Sequence, residues 1–356
     1  MEFGIYKDKK VFLTGHTGFK GSWMLVWLNM LGADVKGYAL EPLSEPELYN
    51  QVKGNELCNS VIADIRDKDR VEKEITGFEP DFIFHFAAQP LVRLSYEIPS
   101  YTFEVNAIGT AHVLDALKKL KKPCSVIIIT TDKVYENFEW HYPYRETDRL
   151  GGYDPYSASK ACAEIIISSY RNSFFNKKNF SKHHKGIASA RAGNVIGGGD
   201  MAKDRIVPDI IRALQNNEPV VLRNPAAVRP WQHVLEPLAG YLQLGKKIAE
   251  EPSGYADAWN FGPHNNDNLT VKELAGIALE IWGSGTIKEQ GSPDQLHEAG
   301  LLKLDINKAL AELNWSPKMD ARQAIDMTIN WYKNLKNCPA RKLVENDIAA
   351  YNKNFF

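Results

Sequence analysis

Short apolar runs alternate with longer amphipathic stretches over roughly the first 190 residues of the chain. The runs have the length and composition of buried parallel strands, and they cover residues 11–13, 33–38, 61–63, 82–86, 126–130 and 187–190. Between them, helices are predicted at 22–31, 101–120 and 156–170. This alternation predicts an α/β fold with a doubly wound parallel sheet, whose ligands bind beyond the carboxyl ends of the strands.

The pattern changes after Arg191, where glycine and proline interrupt the alternation. Three glycines at 197–199 precede a predicted helix around 209–214, and prolines follow at 219, 225, 230 and 237. A chain of 356 residues also exceeds the usual size of one domain. We therefore predict a sheet domain over 1–190 and a smaller C-terminal substrate-binding domain over 191–356, with segments near 231–262 returning to the sheet domain.

A glycine-rich turn joins the first predicted strand to the first predicted helix. Gly15, Gly18 and Gly21 permit a tight turn and let a pyrophosphate approach the amide groups at the helix start. In this position the turn predicts a dinucleotide-binding Rossmann sheet. The second strand is followed by Glu41 and by no arginine that could meet a 2′-phosphate, so NAD is favoured over NADP.

The predicted dinucleotide site extends beyond the three glycines. Asp64, at the end of the third strand, could contact the adenine or could cap the following turn. The remaining residues expected to contact the cofactor are Thr17, Phe19, Lys20, Ile65 and Ala87.

A second motif, Asp154 to Lys160, has the features of a helix start. Asp154 is a suitable N-cap and Pro155 suits the first helical position, so Tyr156 and Lys160 lie one turn apart on the same face. A tyrosine with a pKa of about 10 is a poor base. A nearby lysine, an oxidised nicotinamide and the helix N-terminus all favour its phenolate. We predict Tyr156 as the base for hydroxyl oxidation, with Lys160 also holding the nicotinamide ribose.

A third motif lies at the end of the strand predicted at 126–130, where side chains face the ligand crevice. It contains Thr131, Asp132 and Lys133. Two interpretations are open: a group that acts on a substrate, or a strand-end turn capped by Asp132.

Together the three motifs resemble the extended short-chain dehydrogenase/reductase family of nucleotide-sugar enzymes, which includes epimerases, reductases and 4,6-dehydratases. The resemblance continues through Phe84 to Ala88, Arg191 to Val195, Arg229 to Trp231 and Trp259 to Gly262. In the dehydratases the strand-end motif is Thr-Asp-Glu, whereas here a lysine takes the third position. That variant is similar to the CDP-glucose 4,6-dehydratases, a branch of this family.

The resemblance implies oxidation of CDP-glucose at C4, elimination of water across C5 and C6, and hydride return to C6. It implies that Thr131 binds the C4 oxygen, Asp132 protonates the leaving hydroxyl and Lys133 stands in the position of the base. An ammonium cannot accept a proton, so Lys133 acts either as a neutral base or as a cation that stabilises the enolate.

The resemblance further implies a homodimer and a diphosphate site formed by Asn194, Arg205 and Arg229, although each arginine could instead form a structural ion pair. Alternatives are a dehydratase for another nucleotide-glucose, a 4-epimerase, or a non-catalytic dinucleotide sensor. A sensor has no need for the acid Asp132.

Composition and residue spacing bear on other classes of function. The 43 basic and 44 acidic residues give a net charge of −1, so the broad positive field of nucleic-acid-binding proteins is missing. The four cysteines form no Cys-x-x-Cys pair, and the histidines lack metal-ligand spacing, so no metal site is predicted. The sequence has neither a signal-peptide pattern nor a long apolar span, which predicts a cytoplasmic protein without membrane contact.

Overall fold

The computed structural model describes residues 3–42, 47–290 and 301–355, and one parallel sheet forms its centre. The strands of the described residues are β1 Lys10–Thr14, β2 Asp34–Ala39, β3 Asn59–Ile62, β4 Phe82–His85, β5 Cys124–Ile129, β6 Lys185–Ala192, β7 Val195–Ile196, β8 Val220–Leu222, β9 Val228–Arg229, β10 Gln232–His233, β11 Ala258–Phe261, β12 Leu269–Thr270 and β13 Ile287–Glu289. The order in the central sheet is β11-β6-β5-β4-β1-β2-β3. The doubly wound parallel fold predicted from the sequence is confirmed.

The α-helices of the described residues connect these strands. They are α1 Phe19–Met30, α2 Leu48–Gln51, α3 Lys68–Phe78, α4 Val92–Glu97, α5 Pro99–Phe103, α6 Gly109–Lys119, α7 Pro155–Ser173, α8 Phe180–His183, α9 Ile206–Gln215, α10 Leu235–Glu250, α11 Pro252–Tyr255, α12 Val271–Trp282, α13 Asn307–Glu312, α14 Ala321–Asn334 and α15 Ala340–Phe355. Among the described helices, none has the length and apolar character needed to cross a membrane.

Alternate side chains of each central strand enter two different cores, as the two-residue repeat of a strand requires. Phe12 of β1 belongs to the core that α3, α6 and α7 cover. Val11 and Leu13 belong to the opposite core, which includes α1, α10, α14 and α15. The sheet is therefore buried on both faces, and its strand ends remain the accessible edge.

The helix predicted over residues 101–120 is interrupted in the structure. Helix α5 ends at Phe103, a π-helical turn spans Glu104–Ile108, and α6 follows. The turn presents Asn106, whose amide donates to Ser159 on α7 over 2.8 Å and to the carbonyl of Gln89 over 3.1 Å. Helical periodicity over a short segment does not reveal such a turn, because a π-bulge is a single turn within an otherwise α-helical stretch.

Residues beyond 191 contribute to the sheet as well as to the smaller pairs of strands. Helix α10 packs against one sheet face, and β11 pairs with β6 and forms one edge of the sheet. Strand β7 pairs with β10, so Gln232 lies opposite Val195. The division into domains at residue 190 remains a prediction.

Candidate active site

The glycine-rich turn runs from the end of β1 to the start of α1, and its glycines serve different purposes. Gly15 has a φ of +72°, and a Cβ there would lie 2.7 Å from the Ala87 nitrogen. A Cβ on Gly21 would lie 2.0 Å from the Gly15 carbonyl oxygen. Packing therefore requires both glycines.

Gly18 is different, because a Cβ there would make only an ordinary 3.5 Å contact. Gly18 is the N-cap of α1, and no side chain caps the first amides of that helix. Open amide donors at a helix N-terminus bind anions, and a residue without a side chain leaves room for one. The turn fits the pyrophosphate of a dinucleotide.

Lys20 lies in the first turn of α1, and its side chain is directed toward the catalytic end of the cleft. Burial and, to a smaller extent, the charges of Arg205, Lys160 and Lys133 lower the pKa of Lys20 to about 8, against the opposing effect of Asp132. The first turn of a helix is also an unfavourable position for a cation. Burial and the position at the helix N-terminus therefore both disfavour the charged form of Lys20.

The expected adenine end of the cleft contains Asp64. Its carboxylate accepts from the Arg66 backbone over 2.9 Å and from the Arg66 guanidinium over 2.8 Å. Burial raises the pKa of Asp64, but the hydrogen bonds from Arg66 outweigh it and hold the pKa below its ordinary value. The carboxylate thus caps its own turn, while Asp64 and Ile65 still line the cleft with Glu41.

Helix α7 begins as the sequence predicts. Asp154 accepts from the Ser157 backbone over 2.9 Å, and Pro155 occupies the first turn. This start places Tyr156 in the cleft, where its backbone N–H donates to Ser95 over 3.2 Å.

The electrostatics of Tyr156 differ from the sequence-based expectation. Burial, with a smaller contribution from the charge of Asp132, raises the pKa of Tyr156 to about 12, although a contact with Thr131 and the charge of Arg205 oppose the increase. Lys160 donates instead to the Ile129 carbonyl over 3.0 Å, and burial lowers the pKa of Lys160 to about 8. Within the protein, Arg205 is thus the cation that favours the phenolate.

The strand-end motif follows β5 in a short 3₁₀ turn. Thr131 caps this turn by accepting from the Lys133 backbone over 3.4 Å, and its hydroxyl donates to Asp132 Oδ1 over 3.0 Å. The interpretation in which Asp132 caps the turn is wrong, because Thr131 does so. Lys133 Nζ lies 3.6 Å from Asp132 Oδ1, with its side chain 32% exposed against 1% for Asp132.

The three residues predicted to hold a substrate diphosphate line the same cleft. Asn194 has a positive φ of 40° and follows Gly193 beside Asp132. Arg205 pairs with Asp200 over 2.9 Å, and Arg229 donates to the Val228 carbonyl over 3.0 Å. The ion pair considered for Arg205 is present, and Arg205 also contributes charge to the site.

A buried network behind the motif was not anticipated. Glu164, one turn after Lys160 on α7, accepts from Thr130 over 2.5 Å and from Arg191 on β6 over 2.8 Å. The four-residue spacing from Lys160 was the signal that could have revealed it. The network fixes the end of β5 and with it Thr131.

His85 is a structural residue, as its sequence context suggests. Its two ring nitrogens lie 2.7 Å from the Thr14 hydroxyl and 3.1 Å from the Thr110 hydroxyl. Burial lowers the pKa of His85 to about 3. In the described part of the chain, no cluster of three histidine, cysteine or carboxylate residues could hold a metal ion.

All residues predicted for the cofactor, the chemistry and the diphosphate line one continuous cleft at the carboxyl edge of the sheet. They are Gly15, Thr17, Gly18, Phe19, Lys20, Gly21, Asp64, Ile65, Ala87, Thr131, Asp132, Lys133, Tyr156, Lys160, Asn194, Arg205 and Arg229.

Comparison with known proteins supports this arrangement. The chain is 47% identical over 328 residues to a CDP-glucose 4,6-dehydratase of Salmonella typhimurium, covering 92% of this chain and 91% of that protein. It is 27% identical to a dTDP-glucose 4,6-dehydratase of Streptomyces antibioticus, covering 91% and 92%.

Solved structures share the fold. A UDP-glucose 4-epimerase of Thermotoga maritima superposes with a TM-score of 0.78 at 21% identity, covering 92% of this chain and all of that chain. A dTDP-glucose 4,6-dehydratase of Streptomyces venezuelae gives 0.76 at 23% identity, covering 91% and 97%. The model of the family described as GDP-mannose 4,6 dehydratase matches residues 12–328, and the chain therefore belongs to that family.

Proposed function

We propose that the protein converts CDP-glucose to CDP-4-keto-6-deoxyglucose and water, with NAD as its redox cofactor. The observation that carries this proposal is the meeting of Tyr156, Thr131 and Asp132 at one end of the cleft. A simple dehydrogenase or an epimerase needs the tyrosine but has no use for a buried acid beside it. The 47% identity to a CDP-glucose 4,6-dehydratase supports the same substrate.

NAD, when bound, accepts hydride from C4 of the sugar and returns it to C6. The glycine-rich turn would hold its pyrophosphate, and Lys160 its nicotinamide ribose. Glu41 lines the adenosine end of the cleft, where a 2′-phosphate would meet a negative charge. This favours NAD over NADP.

Tyr156 is the base of the oxidation step. Its phenolate takes the proton of the C4 hydroxyl while the hydride leaves C4, and Thr131 donates to the same oxygen. Because burial raises the pKa of Tyr156, the phenolate depends on Arg205 and Thr131 as well as on the bound cofactor.

Asp132 and Lys133 are the residues assigned to the elimination step. The C4 ketone acidifies the C5 proton, which a base removes while Asp132 protonates the C6 hydroxyl and water leaves. Lys133 lies beside Asp132 and stands in the position of this base, a role that requires its neutral amine. After hydride has returned to C6, C5 regains a proton, so water is lost and no cofactor is consumed.

The diphosphate of the substrate would bind Asn194, Arg205 and Arg229, which line the cleft next to the catalytic residues. Arginine forms paired hydrogen bonds with phosphate oxygens. The cationic side chains Lys20, Lys160 and Arg205 surround this end of the cleft, which favours an anionic substrate.

In the cell, this activity would supply a 4-keto-6-deoxy sugar nucleotide for surface-polysaccharide synthesis, including lipopolysaccharide O-antigen. We further propose a cytoplasmic homodimer that binds neither nucleic acid nor membrane. Analytical ultracentrifugation of the purified protein tests the dimer.

The decisive experiment incubates the protein and NAD with CDP-, dTDP-, UDP- and GDP-glucose in parallel. A 4-keto-6-deoxy product from CDP-glucose is expected, and deuterium placed at C4 should appear at C6 of the same molecule. Deuterium lost to free cofactor would indicate a dehydrogenase, and return to C4 with inversion would indicate an epimerase. A product only from another nucleotide would contradict the substrate.

A further inference from the structure

Asp132 lines a small cavity to which Lys133 does not contribute. It measures about 10 Å³, which is the smallest space that holds one water molecule. Asp132, Gly193 and Gln232 form its inner end. Asp132 Oδ2 and Gln232 Oε1 are both buried, and no group of the described residues donates a hydrogen bond to either oxygen.

The orientation of the Gln232 side chain is fixed by its other end. Its Nε2 donates to the carbonyls of Gly193 and Phe261, each over 3.1 Å. Because both partners are acceptors, the nitrogen has to occupy that position, and the oxygen is left facing the cavity. Gln232 also belongs to β10, whose pairing with β7 holds the backbone in place.

Gly193 contacts both the Gln232 and the Asp132 side chains. Its carbonyl accepts from Gln232, and its Cα lies so close to Asp132 that a Cβ would stand 1.9 Å from Oδ2. An ionised carboxylate is only an acceptor, and so is the glutamine oxygen. Two buried acceptors beside one cavity are unfavourable unless one of them carries a proton or a water donates to them.

We propose that Gln232 is a positioning residue that favours the protonated form of Asp132, by accepting its proton across this cavity directly or through one water. The inference rests on the proposed function, which requires Asp132 to hold a proton. In the elimination, the O–H bond of Asp132 and the C6–O bond break, and the proton and hydroxyl leave as water. The carboxyl then regains a proton before the next turnover.

The charged and titratable groups around Asp132 divide between two sides. On the cleft side are Lys133, Lys20 and Tyr156. On the cavity side are His264 and Lys303, and Lys303 donates to the Asn265 carbonyl. Gln232 supplies an acceptor oxygen on the cavity side.

The test is the dependence of kcat on pH in two variants of the holoenzyme. Gln232→Met removes the acceptor oxygen at similar side-chain size. The alkaline limb of its kcat–pH profile should move to lower pH by about one unit, so that kcat on that limb falls about tenfold. Bound NADH should accumulate there because elimination slows. Gln232→Glu adds a second carboxyl that can share the proton, so its alkaline limb should move to higher pH.

Gln243→Met is the matched control. Gln243 Oε1 also lacks a partner among the described residues, but the residue lies on α10 and does not line the cleft or the cavity. Its alkaline limb should coincide with that of the wild type. An unmoved limb in both Gln232 variants would overturn the inference, and if Gln232→Met does not fold, Gln232→Glu decides alone. Failure of the wild type to form product would instead contradict the proposed function.

Discussion

The hydroxyl of Thr131 donates to Oδ1 of Asp132 over 3.0 Å. The same side chain contacts the phenol of Tyr156 and opposes the effect of burial on its pKa. Thr131 thus connects the group proposed to take the C4 proton with the group proposed to supply the C6 proton. The overall reaction moves one proton in that direction, so the connection suits a dehydratase.

Replacement of Thr131 tests this connection. Thr131→Val preserves shape but removes the hydroxyl, and kcat should fall by about 10²-fold, as for other single donors to a reacting oxygen. Because oxidation itself is impaired, bound NADH should not accumulate. Thr131→Ser retains the hydroxyl and is the matched control. Equal activity of the valine and serine variants would exclude a role for the hydroxyl.

Asp132→Asn should separate the two half-reactions. The amide is similar in size but cannot supply a carboxylic proton, so oxidation at C4 continues while elimination stalls. We expect kcat to fall by about 10²–10⁴-fold and the absorbance of bound NADH to rise on addition of CDP-glucose. Unchanged turnover, or loss of turnover without any NADH signal, would contradict the assignment of Asp132 as the acid.

Much of this site could be predicted because its chemistry is carried by local motifs. The glycine turn and the start of α7 depend on residues within one turn of each other, and both appear as predicted. The shared cavity of Gln232 and Asp132 could not be predicted, since 100 positions separate the two residues along the chain. The direction of the Lys20 side chain likewise depends on packing.

Lys133→Arg distinguishes the two roles open to this residue. Arginine keeps the positive charge but cannot act as a base, because its pKa exceeds 12. If Lys133 is the base, the variant should lose about 10²–10⁴-fold in kcat and should not exchange the C5 hydrogen with D₂O. Mass spectrometry of recovered sugar measures that exchange. Wild-type exchange in Lys133→Arg would show that the charge alone suffices.

Gly193→Ala should displace the carboxylate of Asp132 without removing any group proposed to bind the substrate. The added Cβ would stand 1.9 Å from Asp132 Oδ2, so the carboxylate must move. We expect kcat to fall by at least about tenfold and the free energy of unfolding by about 1–3 kcal/mol, which is typical of overpacking. Gly276→Ala is the control, because nothing lies within 4 Å of its added Cβ in α12. A fully active Gly193→Ala enzyme would contradict the tight packing.

Lys20→Met should raise the stability of the folded protein and weaken its binding of CDP. Burial lowers the pKa of Lys20 from 10.5 to about 8, so between these pH values the folded protein binds fewer protons than the unfolded chain. The free energy of unfolding of the wild type therefore rises with pH across this interval, and below pH 8 the cost of the buried charge is fully present. Replacement by methionine removes that cost.

The Tm of Lys20→Met should accordingly exceed that of the wild type at pH 7, and the difference should shrink as the pH approaches 10. The same variant should bind CDP about tenfold more weakly at pH 7, because a cation facing the diphosphate is lost. Lys73→Met, on the exposed side of α3, is the control and should change neither quantity. A Tm difference independent of pH would mean that packing, and not the buried charge, distinguishes the variant, and unaltered CDP affinity would remove Lys20 from the substrate site.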